Sequence, residues 1–226
     1  MYKSSLFFTS LIILLQACAS KGQQNEKSVK NELDFDLRNE IAQMAEVDQT
    51  AAWIPQGEFK NYSQEEWRAY KDSVFTSNKK RAEEIFNEHG FPGFDLVGEQ
   101  GSHDFWLIVQ HCDFDPEFQM KVLTDMKLKM ENNQADKSNY AYLIDRVNKN
   151  LGEKIIYGTQ VTYNKMGQAV SRPLIDSANV DIRRAEVGLE PLVEYLNRMT
   201  QSHWEMNKEN MLKRGITEPM LYSSEK

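Results

Sequence analysis

Apolar residues recur three and four positions apart along most of this chain, the period of a helix with one buried face. Leu33, Leu37, Ile41, Met44 and Ala45 predict a first helix near 33–48. Pro55 and Gly57 interrupt the pattern. Ser63-Gln64-Glu65-Glu66 is a capping box, in which the serine accepts from the N–H three residues on and Glu66 reaches back. It opens a helix over about 64–89, with Trp67, Tyr70, Val74, Ile85 and Phe86 as core contacts, ended by Gly90 and Pro92. Ser102 to Cys112 is strongly apolar, with Phe105, Trp106, Leu107, Ile108 and Val109, and is expected at the centre of the fold. Asp115-Pro116 supplies an N-cap and a first-turn proline to the next helix, whose face is Phe118, Val122, Leu123, Met126 and Met130. Tyr140, Leu143, Ile144, Val147 and Leu151 mark another, closed by Gly152.

The period then changes. Ile155 to Tyr163 is β-branched and aromatic, Asn164–Gln168 contains a turn glycine, and Ala169–Ile175 returns, so a β-hairpin is expected. Asp181 is placed as the cap of a short helix ending at Gly188, and Pro191 opens the last clear helix, with Leu192, Tyr195, Leu196 and Met199 facing in. A peripheral helix follows Ser202. The expected fold is mainly α: one helical domain over 33–226 with one small β-hairpin, an α+β arrangement.

The first 32 residues follow another logic. Lys3 precedes an apolar run, Leu6–Leu15, and then Leu15-Gln16-Ala17-Cys18. This is the build of a secretory signal over 1–17 with a lipobox, in which Cys18 becomes the lipidated first residue. Gln16 is its unusual member. Two alternatives stay open. As a retained helix, Leu6–Ala19 would span only about 21 Å of a roughly 30 Å hydrocarbon core. Ordinary cleavage without lipid is the other. Residues 18–32 then form a lipidated tether, polar and without aromatic residues from Ala19 to Lys30. Two acyl chains suffice for stable anchoring. The expected location is the cell envelope; the lack of aspartate after Cys18 points to the outer membrane in a Gram-negative host.

Removing 17 of the 226 residues leaves 209, enough for one domain that buries roughly 70% of its unfolded surface without disulfide or metal. Cys112 is then an unpaired thiol, read as a small buried residue. The formal charge of −7 argues against nucleic acid and anionic lipid as partners. There is no glycine-rich phosphate loop and no G-x-S-x-G nucleophile motif.

A set of short motifs recurs in order over about 110 residues. It comprises His89-Gly90-Phe91-Pro92, Leu96-Val97-Gly98, Gly101-Ser102, and Val109-Gln110-His111 with Asp113 and Asp115-Pro116-Glu117-Phe118-Gln119. It continues with Tyr142 to Val147, Tyr157-Gly158-Thr159-Gln160, and Asp181-Ile182-Arg183-Arg184 running into Val187-Gly188-Leu189. In this it resembles an uncharacterised bacterial family known only as a domain of unknown function. The resemblance implies a shared fold and a shared pocket, and brings no activity, cofactor or substrate.

His111 is the first candidate for chemistry: it ends an apolar helix after Gln110, with Asp113 close by, as a general base oriented by a carboxylate would. The plainer reading is a histidine facing the negative end of the helix dipole. A metal site is a weaker idea, since His103 and His111 are two turns apart and the i, i+4 spacing of a zinc helix is missing. Asp145 and Arg146 lie off their helix's apolar stripe, as a solvated face or as a reach towards a neighbour, with Arg146 offering a planar fork to an anion. Tyr157, Thr159 and Gln160 surround a glycine in an expected strand, as a pocket wall or a bulge. Arg183 either pairs within its own helix or joins Arg146 around an anion. Two classes of function remain: a polar pocket that binds or hydrolyses a polar or anionic envelope ligand, and a non-catalytic lipoprotein that docks a protein partner, the same polar residues serving as internal bonds. Neither calls for a metal or organic cofactor.

Overall fold

In the computed structural model the structure describes residues 32–223. The expected signal peptide, Cys18 and nearly all of the expected tether lie outside the described residues. Eight α-helices, one short 3-10 helix (Gly57–Asn61) and one two-stranded antiparallel hairpin make up the regular structure of the described residues, in accord with the α+β expectation. The helices are α1 (Phe35–Ala52), α2 (Gln64–His89), α3 (Phe94–Gln110), α4 (Pro116–Glu131), α5 (Lys137–Asn150), α6 (Val180–Glu186), α7 (Leu192–Met206) and α8 (Lys208–Lys213), with β1 (Val161–Tyr163) and β2 (Ala169–Ser171) between α5 and α6.

Local chemistry sets most boundaries. The Asp34 side chain accepts from Leu37 N–H at 2.9 Å and starts α1. Both arms of the Ser63–Glu66 capping box are made, at 3.2 and 2.8 Å. Asp115 caps α4 through Phe118 N–H at 3.0 Å. The main core forms where α1, α2, α4 and α5 close around α3: Ile41, Ile85, Phe105, Ile108, Phe118, Met126 and Leu143 are all buried. The apolar stretch foreseen as central is central.

Four details differ from expectation. Helix α3 begins at Phe94 rather than near 102, because Gly98, at φ 73°, lets two helical segments meet at a kink. Trp67 and Tyr70 are not core. They stack 5.3 Å apart and join Phe59 and Tyr62 in a partly exposed aromatic cluster beside α1's end. Asp181 does not cap α6, whose N-cap is Asn179. It accepts instead from Leu192 N–H at 2.7 Å, tying α6 to the start of α7. The hairpin is shorter than expected, and Ile156–Gln160 is irregular, with only Ile155 in an isolated bridge to Leu174.

A second, smaller core holds the hairpin to α7 through Ala169, Tyr195 and Leu196. Cys112 is 1% exposed, its thiol 3.5 Å from Ile108 O, and burial pushes that thiol up to about 12 with help from the Asp48 charge. It is a packing residue. No helix among the described residues is long and apolar enough to cross a membrane.

Candidate functional site

The last turn of α1 carries Asp48 on the helix's buried stripe, one turn beyond Met44 and Ala45. Its side chain is fully buried. His111 caps the C-terminus of α3. There its Nδ1 meets Asp48 Oδ1 at 2.5 Å, with 19% of the side chain exposed. An ionised carboxylate only accepts, so Nδ1 is the donor in this contact, and in the neutral form of the ring Nε2 holds the lone pair. Gln49 donates to Asp48 at 3.2 Å, and Asn78 reaches Met44 O at 3.2 Å and Asp48 at 3.5 Å. The Phe75 ring, 5.0 Å away and tilted 34°, shields one side of the imidazole.

Beside it lies an ion pair. Arg146 donates Nε and Nη2 to the two Asp113 oxygens at 2.8 and 2.7 Å, a bidentate fork. Asn150 adds a bond at 2.8 Å. Burial alone would push the Asp113 carboxyl up. The Arg146 guanidinium, with Asn150 and Gln119, outweighs it and holds the group below its ordinary value. His111, Asp113 and Arg146 line a cleft of about 410 Å³ together with Lys71, Phe75 and Phe114. The expected fork towards an anion is thus taken by Asp113, leaving Arg146 Nη1 free of any hydrogen bond among the described residues.

The other predicted residues go elsewhere. Asp145 is fully buried rather than solvated. It accepts from Ile156 N–H at 2.7 Å, Tyr157 N–H at 3.1 Å, and Thr159 N–H and Oγ at 2.9 and 3.0 Å. Arg183 donates to Ile156 O at 3.0 Å and to Asp176 O at 2.6 Å, and does not join Arg146. Buried Arg184 donates to Tyr157 O and Glu190 O, both at 2.6 Å. Gln160 O accepts from Arg172 N–H at 3.1 Å. This network folds the 156–160 segment around Asp145. Neighbouring residues on a helix point about 100° apart, so Asp145 and Arg146 serve different places. Gln110 contributes its carbonyl to buried Gln119 at 3.4 Å.

Sequence reasoning missed Asp48, Lys71 and Phe75. Asp48 was findable, since an aspartate that continues an apolar stripe is buried and needs a partner. Among the described residues no group of three or more His, Cys, Asp or Glu side chains is placed to hold a metal. His103 is instead bonded to Asn139 at 3.1 Å, on a wider and more polar cleft of about 880 Å³.

The model of a family of unknown function (DUF6624) matches residues 35–206. The chain belongs to that family. The matched span takes in the Asp48–His111 pair, the Asp113–Arg146 pair and the Asp145 network of this chain. No curated protein and no solved structure matches the chain.

Proposed function

We propose that this is a cell-envelope protein, anchored by lipid on Cys18, whose His111 cleft binds and hydrolyses a polar, anionic ligand. The observation that carries this reading is the contact between His111 Nδ1 and the buried Asp48 carboxylate. A buried acceptor on one ring nitrogen selects the tautomer and orients the ring, leaving the other nitrogen to take a proton. No serine, threonine or cysteine lines the cleft, so water is the nucleophile His111 would activate. The Asp113–Arg146 pair fixes one wall, and Lys71 adds a positive charge.

The test is His111→Asn, with native mass spectrometry of the purified domain before and after denaturation. Asparagine Nδ2 can still donate to Asp48 but has no second basic nitrogen. Loss of a co-purifying ligand or of turnover, with stability kept, supports the reading. Unchanged ligand occupancy and activity in a folded variant would sink it.

A second reading, docking of an envelope protein, draws on the exposed apolar side chains Met120, Leu128 and Leu151 along α4 and at the end of α5, and on the internal bonding of Asp145 and Arg183. A cross-linked envelope partner lost on Leu128→Asp would favour it.

A further inference from the structure

We infer that the ligand of the His111 cleft is an oxyanion bearing an apolar, ring-sized group, with Lys71 and Arg146 Nη1 holding the charge and Phe114 and Phe75 covering the ring. This rests on the reading of the cleft as a ligand site and names the chemistry it selects. Two independent features of the wall carry it.

The first is a set of donors without acceptors. Lys71 lines the cleft half-buried and has no ionic or hydrogen-bonded partner among the described residues, unlike Lys79, which holds Asp115 and Glu83 at 2.8 Å. Arg146 neutralises Asp113 with two of its nitrogens and keeps the third. The one carboxylate on the wall is therefore already satisfied, and the spare donors leave an uncompensated positive charge that an anion would meet.

The second is apolar surface in a polar place. Phe114 is 57% exposed, although it lies between Asp113 and Asp115 in a turn where a polar residue would cost nothing. Phe75 lines the same cleft with its ring against His111. Trp53, which follows the cleft-lining Ala52 in sequence, is 66% exposed. An inorganic anion alone would leave these rings in water. A cleft of about 410 Å³ has room for a ring beside the charged group.

The experiment is calorimetric titration of the full chain with phenyl phosphate, phenylacetate and inorganic phosphate, with the His111 ring followed by NMR. Aryl oxyanions should bind about tenfold or more tighter than inorganic phosphate, the gain expected for burying part of a ring, and should move the His111 resonances. Lys71→Gln should weaken every anion, and Phe114→Ala should reduce the aryl advantage while leaving inorganic phosphate unchanged. Both sites are surface-exposed enough that the variants should keep the wild-type melting temperature. Equal affinity for phosphate and phenyl phosphate overturns the inference, and so does an aryl advantage that Phe114→Ala leaves unchanged. Neither result touches the reading of His111 as the base, which stands or falls on His111→Asn.

Discussion

Asp48 Oδ1 and His111 Nδ1 lie 2.5 Å apart, so the last turn of α1 and the C-cap of α3 are joined through a carboxylate with no exposed surface. Asp48→Ala removes that acceptor and leaves the imidazole N–H and Asn78 without it. We expect a loss of about 3 kcal/mol in urea unfolding, as for other half-deleted buried pairs. A loss under about 0.5 kcal/mol would show that the pair is not coupled to the fold.

The same burial changes what His111 variants report. His111→Ala strands the Asp48 charge and should lower the melting temperature even if His111 is purely a site residue. His111→Asn, which can still donate, should stay within about 1 kcal/mol of wild type while losing whatever depends on Nε2. Thermal scans of the two side by side separate the roles, and equal destabilisation would contradict the geometry.

Asp145→Asn places an amide N–H₂ among backbone donors that need an acceptor. Destabilisation of at least about 3 kcal/mol is expected, since several bonds to a charged acceptor are lost together. Hydrogen exchange should show Ile156, Tyr157 and Thr159 amides losing protection first. Unchanged protection there would refute the hub role of Asp145.

The Asp113–Arg146 pair makes a pH prediction. The folded carboxyl sits below its ordinary value, so its contribution is present above the unfolded pKa, about 3.9, and is lost as pH falls through the folded one. Asp113 is 38% exposed, so water screens the pair and its worth is about 1 kcal/mol at most. Wild type should exceed Arg146→Ala in stability at pH 6, and the gap should close below about pH 4. A gap that widens in acid would reverse the sign and exclude the ion pair as its source.

Cys112 should be inert. With its thiol pushed up to about 12 and 1% exposed, iodoacetamide should label it only as fast as the protein unfolds. Peptide mapping after native and urea-denatured labelling checks this, and rapid native labelling would mean that the α3 C-terminus opens locally.

Periodicity made the helices legible. The stripes of α1, α4 and α5 and the cap chemistry of Ser63 and Asp115 act over three or four residues, and hydrophobic burial does the rest without reference to distant partners. That His111 wants a carboxylate was legible too, from a polar ring at the end of an apolar helix. Which carboxylate was not. Asp113 and Asp115 are near in sequence, but Asp113 turns to Arg146 and Asp115 to Lys79. The partner, Asp48, is 63 residues away on α1.

The 156–160 segment reads from its sequence as strand with a pocket wall or a bulge around Gly158, and it is irregular for a related reason. Its β-branched and aromatic composition favours extension, but a strand needs a neighbour along its length. Here the N–H groups of Ile156, Tyr157 and Thr159 found one buried carboxylate instead. Local order follows from side-chain pattern and is written in the chain. The pairing of long-range charges and orphan amides depends on which helix faces which, and that is settled only when α1, α3 and α5 pack.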